Sequence, residues 1–322
     1  MRTKLFVLML GFFALGTLVW AAPAGAGDRP VPPGFNYIFD KDAFAVPGSQ
    51  AEPAGPGGVS KLSLKLYGGY NYMLAGDVND GSTFYFDLVK AYVAGGTGTV
   101  TGGYKPLHGG YNFGADLIYQ ITPSIGIGVG AGFMRSSASS LATFSDVGES
   151  VDIRADAMLS AVPLRLGLFL DIPMGGKLNL TANAGAAYYL GVKLDATEGL
   201  EWSADDWMSL NVTGSERSGA DIGFHGSLGL EYKFSPKIGF IVEAVGRYAK
   251  FKNFGSVMAT VDTAGGTPAT TEGVLYIFSD TIDSQEITMF TVSATPPTDG
   301  TYREPKFDLS GFSLQAGIRI HF

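Results

Sequence analysis

The sequence contains no cysteine, which excludes a disulfide framework even in an oxidising compartment. It has three histidines, His108, His225 and His321, and without cysteine partners no metal-ligand spacing emerges. Charged residues make up only 16% of the chain, and acidic residues outnumber basic ones by 30 to 22. That balance excludes nucleic acid as a partner, because such binding needs a positive footprint. Nucleotide-binding motifs are also absent from a suitable context. The glycines of "GIGVGAG", residues 126–132, follow a two-residue period and open no helix. Beyond Trp20 there is no long apolar run, so no later segment is expected to cross a membrane as a helix.

What is present begins with Arg2 and Lys4 ahead of an unbroken apolar run, Leu5 to Trp20, and then "AAPAGAG". A basic region, an apolar stretch and small residues predict a secretory signal peptide over 1–26, cleaved after Ala21, Ala24 or Ala26. A membrane-anchoring helix is the alternative, but the run is short for a span. Loss of Arg2 and Lys4 leaves 20 basic residues against 30 acidic, a net charge of −10. Residues 27–60, with "RPVPPG" and "AEPAGPGG", read as a Pro/Gly-rich periplasmic arm or linker. Its island "FNYIFDKDAFAVP" is either plain linker or a docking segment.

From residue 61 to 322 the apolar residues recur with a period of two, the signature of strands with one apolar and one polar face. The clearest case is "FSLQAGIRIHF": Phe312, Leu314, Ala316, Ile318, Ile320 and Phe322 share a face, with Gln315, Arg319 and His321 opposite. Similar segments begin near Lys61, Tyr111, Ile125, Val162, Leu178, Ile222 and Ile238, for eight strands in all. Along the fourth, the parity of Val151 to Leu159 opposes that of Val162 to Ile172, which predicts a bulge or bend near Pro163. Three joins are tight: "TPS" (122–124), "PMGG" (173–176) and "SP" (235–236). Four are long, over roughly 75–107, 136–150, 195–218 and 254–305.

A soluble sandwich would also alternate. Here, however, the apolar faces have aromatics at both ends and aliphatics between. Tyr70, Tyr72, Tyr111, Phe133, Tyr188, Phe224 and Tyr248 lie toward the long loops. Tyr119, Tyr232, Phe234, Phe240 and Phe322 lie toward the turns. Two interfacial girdles around an aliphatic belt describe a transmembrane barrel. In lipid every strand edge must be paired, so the last strand is expected to close on the first. The expected fold is all-β, an eight-stranded antiparallel up-and-down transmembrane β-barrel with short periplasmic turns and long extracellular loops.

With that strand count, that loop alternation and the terminal "GIRIHF", the chain resembles the eight-stranded outer-membrane barrels. These include the OmpA transmembrane domain, OmpX, OmpW and the opacity-type proteins. The resemblance implies residence in the outer membrane of a Gram-negative-type bacterium, after signal-dependent export. It also implies outer-membrane lipid, lipopolysaccharide and the assembly machinery as partners. Ile318, Ile320 and Phe322 match the family's C-terminal assembly signal.

The polar faces place Lys65, Arg165, Arg247 and Arg319 with Asp116, Asp171, Glu231 and Glu243 in the lumen. Four charges of each sign in a low-dielectric interior should pair. They form either a structural plug or a narrow gate in which one pair switches. The lumen glycines at 126–132 either make room for Arg165, Phe169, Tyr189 and Arg247 or leave a crevice. The apolar loop segments "STFYFDLVKAYVAGG", "GVLYIFSD" and "EITMFTVSA" extend the barrel as hairpins or line a pocket for a hydrophobic molecule. "HGS" puts His225 and Ser227 two apart, with Glu243 on the neighbouring strand. The spacing is similar to the His-x-Ser pair of lipid A deacylases, but here both residues face the lumen and no asparagine follows the serine. The expectation is a non-enzymatic protein without cofactor or metal, acting in envelope structure or surface interaction through its loops. A narrow channel or carrier for small hydrophobic solutes, OmpW-like, is the alternative, and lipid A hydrolysis a distant third.

Overall fold

A computed structural model describes residues 61–94, 98–216, 222–252, 254–282, 285–295, 297 and 302–322. The signal segment, the arm and its apolar island lie outside the described residues. In chain order the strands open with β1 (Leu62–Gly76), β2 (Thr99–Gly103), β3 (Gly109–Gln120), β4 (Ile125–Asp146) and β5 (Glu149–Gly175). There follow β6 (Leu178–Ser203), β7 (Asp206–Glu216), β8 (Ile222–Ser235), β9 (Ile238–Tyr248) and β10 (Lys250–Phe251). The last are β11 (Phe254–Thr263), β12 (Ala269–Ile282), β13 (Gln285–Ser293), β14 (Tyr302–Arg303) and β15 (Phe307–His321). Two helices, α1 (Asp77–Gly81) and α2 (Phe84–Ala94), lie between β1 and β2.

Hydrogen bonding runs through eight strands in a ring, β1–β3–β4–β5–β6–β8–β9–β15, every pair antiparallel. The ring closes where β15 pairs β1, with Leu64 opposite Ile320 and Leu66 opposite Ile318. The terminal strand is thus paired on both sides and presents no edge. Its outward row is apolar and exposed, as on the other strands: Val129 is 55% exposed and Phe322 63%. Aromatic pairs ring both ends of the belt, among them Tyr72 with Phe312, Phe113 with Phe133, and Tyr232 with Phe234.

The change of pattern along β5 has a different origin from the bulge expected near Pro163. Odd-numbered residues point inward along the whole strand, from buried Val151, Ile153 and Leu159 to lumenal Arg165 and Asp171. The apolar residues change sides because the surroundings do. They lie inside where the barrel meets water and outside, at Leu164 to Leu170, where the belt begins. A register shift does fall between Ser160 and Val162, but the extra residue sits on β6, between Lys193 and Leu190. There Gly191 adopts φ 56°, a left-handed conformation that favours glycine. The inward set of β6 switches accordingly, from Ala187 and Tyr189 below to Val192, Leu194 and Ala196 above.

Beyond the belt the ring continues as a sheet of its own. β6 leaves β8 and pairs β7, which is followed in order by β11, β12 and β13. The long joins after β4 and β6 are therefore strand extensions, and the last forms the β12–β13 hairpin. The first join is a correction. "FYFDLVKAYVA" is helix α2 rather than a hairpin. Thr83 accepts the first helical bond from Asp87 at 2.9 Å, and Asp87 complements the N-terminal dipole. Phe84, Tyr85, Phe86, Leu88 and Val89 are buried among Phe144, Val151, Ile153, Leu200 and Ile287. The helix fills the interior of the extension because only there can so apolar a segment leave water.

Candidate functional site

The inward row of each ring strand meets its neighbours in three polar layers. Nearest the turns, Arg319 contacts Asp171 at 2.8 Å and Glu231 at 3.6 Å, and donates from Nε to Ser63 Oγ at 3.0 Å. Gln120 holds the other Asp171 oxygen at 2.6 Å, and His321 Nε2 lies 2.8 Å from Glu231. In the middle layer Lys65 Nζ bridges Glu243 and Asp116, each at 2.8 Å. Arg165 takes the second Asp116 oxygen at 2.6 Å and also donates to the Tyr67 hydroxyl. Gln315 donates to Glu243 at 3.0 Å and accepts from Asn112 at 3.1 Å. Lys65 is only 1% exposed and Glu231 is fully buried. Desolvation this complete is tolerable only because each carboxylate has a cationic partner.

The third layer differs. Arg247 donates to Leu309 O at 2.6 Å, to Tyr72 O at 2.7 Å and to Ser313 Oγ at 2.9 Å. All three acceptors are neutral, and among the described residues no carboxylate forms an ion pair with this guanidinium. Ser313 and Asn71 continue the network toward Ser136 at 3.3 and 3.2 Å.

All eight sequence-selected charges therefore occupy the lumen, seven in ion pairs and Arg247 apart. The glycines of β4 make room for neighbouring side chains at Gly128 and Gly130, and a small cavity remains beside Gly132. A Cβ at Gly130 would lie 1.9 Å from Asp116 Oδ1, at Gly128 2.5 Å from Phe169, and at Gly132 2.9 Å from the Tyr67 hydroxyl. Sequence reasoning missed Tyr67, whose ring lies 4.8 Å beneath the Arg165 guanidinium, a cation–π contact. Its signal was available: an aromatic at a lumen position of β1, directly opposite Gly114. Of the residues expected to form an assembly signal, Ile318 and Phe322 are exposed on the outer wall and Ile320 is half-buried there.

His225 and Ser227 face the lumen on β8. Glu243 stands opposite Gly229 rather than His225, and Lys65 engages both its oxygens. His108 is elsewhere, stacked on Tyr72 at 4.9 Å. Above the belt an open groove of about 870 Å³ follows the row Met158, Asp195, Thr213, Met258 and Glu272 across five strands. In the extension, burial raises the Glu198 carboxyl to about 8. The Tyr85 and Tyr104 hydroxyls are pushed up by burial first and then by the nearby Glu198 charge.

No protein-family model matches the sequence, and no curated protein does. Among solved structures, the chain is similar to a major outer membrane protein from Thermus thermophilus. The identity is 11% and the TM-score 0.36, over 81% of this chain and 99% of that one. It is also similar to the outer membrane protease OmpT from Escherichia coli (10%, TM-score 0.31, 82% and 98%). A third is CarO2 of Acinetobacter baumannii (12%, TM-score 0.27, 82% and 99%). Likeness at these scores carries no argument about activity or ligand.

Proposed function

We propose that this is an outer-membrane barrel of a Gram-negative-type envelope with a non-catalytic role, a closed wall element that displays its strand extension to the outside. One observation carries the reading: an exposed aliphatic belt surrounds a lumen filled by ion pairs. In water that belt would be a standing liability. In hydrocarbon each outward Leu, Ile or Val, half-exposed on the wall, gains roughly half of the 1.5–3 kcal/mol of full burial, while the closed ring satisfies the backbone. The lumen charges act as a plug, because each is held by two or more partners. Envelope lipid would face the belt, and the assembly machinery would read Ile318, Ile320 and Phe322. The expected result on refolding the full chain into phosphatidylcholine vesicles is flotation with the lipid and resistance to alkaline extraction. Release by alkali would overturn the reading.

The carrier reading keeps one observation in its favour, the groove above the belt, whose Met158 and Met258 offer an adaptable apolar surface. If it carries apolar solutes, a fluorescent fatty acid should bind the refolded protein saturably, and Met258→Asp should weaken that binding at least tenfold.

A further inference from the structure

Between the middle and third lumen layers lies a cavity of about 40 Å³. Its wall includes Arg165, Arg247, His225, Asn112, Gln315 and Tyr189. A single water needs about 10–15 Å³ on this measure, so there is space for about three waters, or for one larger occupant with a water. Three wall atoms are buried without a hydrogen-bond partner: Arg165 Nε, His225 Nδ1 and Asn112 Oδ1. Buried polar atoms are rarely left so, and three around one void point to something that fills it.

The charge distribution says what. In the middle layer two cations, Lys65 and Arg165, face two carboxylates, Asp116 and Glu243, and both acids are in ion pairs with those cations. Arg247 adds a positive charge with only neutral acceptors. Asp308, on β15, is held by Lys250 at 3.3 Å and by the Ser310 amide at 2.9 Å. An unneutralised buried charge costs several kcal/mol. Water alone would satisfy the loose atoms and leave that charge uncompensated. We propose that the cavity binds a small monovalent anion of the halide class, held by Arg247 and Arg165 Nε, with His225 donating from Nδ1. A guanidinium has five N–H groups, and the three bonds made by Arg247 leave two for the ion. A water beside the anion would donate to Asn112 Oδ1.

The test is diffraction from crystals of the refolded full chain grown in sodium bromide, with data collected at the bromine edge. An anomalous peak inside the cavity, lost in Arg247→Gln, is the expected result. Waters alone, with no anomalous signal in the wild-type cavity, would overturn the assignment. A solution measurement guards against failure of the variant to fold. The unfolding midpoint of the wild-type barrel should climb with chloride or bromide, but not with gluconate at equal ionic strength, as binding to the native state alone requires. Arg247→Lys should keep part of that dependence. Equal midpoints in halide and gluconate would count against the site.

Discussion

Gly130 shows how closely single residues specify the lumen. A methyl group there would overlap Asp116 Oδ1 at 1.9 Å, so Gly130→Ala must displace the carboxylate that Lys65 and Arg165 share. Overpacking of this kind costs about 1–3 kcal/mol, and the urea midpoint of the refolded barrel should fall accordingly. Gly226→Ala is the control, because its nearest neighbour lies at 3.6 Å and its midpoint should scarcely move. Lys65→Met should cost more, about 3–5 kcal/mol, since it strands Glu243, whose one cationic partner is Lys65, and leaves Asp116 to Arg165 alone. Adding Glu243→Gln to Lys65→Met should recover part of that loss in the same assay. The inward placement of all these side chains was legible from period-two alternation alone. Their pairing was not, because partners depend on register, which the turns and the Gly191 bulge set. The isolation of Arg247 was illegible for the same reason. On alternation it is simply one lumen charge among eight.

At the scale of elements, β5 and α2 separate what pattern reveals from what surroundings impose. On β5 the change in apolar parity is real in the sequence, but its cause is a change of medium, which no local signal encodes. "FYFDLVKAYVA" is apolar on nearly every side, so its period distinguishes helix from strand poorly. Only the enclosed space above the belt selects the helix. Packed in that region, Glu198 on β6 gives α2 a pH dependence of defined sign. Its carboxyl rises to about 8 in the native state, against about 4.3 for an ordinary glutamate. The native protein therefore keeps a proton that the unfolded chain gives up. The contribution is complete below about pH 4.3 and is lost as pH rises toward 8, by about 5 kcal/mol in all. Protection of the α2 amides against hydrogen exchange should accordingly weaken between pH 5 and 8. Glu198→Gln should flatten that dependence. A slope unchanged by the substitution would show that another group controls the helix.

For the whole molecule, the closed ring and its outward apolar belt follow from a pattern repeated on eight strands, which is why the architecture was readable without a relative. Closure itself is the pairing of β15 with β1, Lys65 opposite Arg319 and Tyr72 opposite Phe312, and it leaves the barrel no edge to protect. Three obstructions then lie along its axis: the ion-pair layers, the aromatic packing around Tyr189 and Phe251 at 5.2 Å, and helix α2 within the extension. In the proposed reading this interior is a plug. Single-channel recording of the refolded barrel in a planar bilayer tests that most directly, with folding verified by a heat-dependent gel shift and Arg247→Ala and Glu243→Ala recorded alongside. The account predicts silence in the native protein. Stable openings in the native barrel, altered in size or lifetime by either substitution, would contradict it and make the same charges a gate.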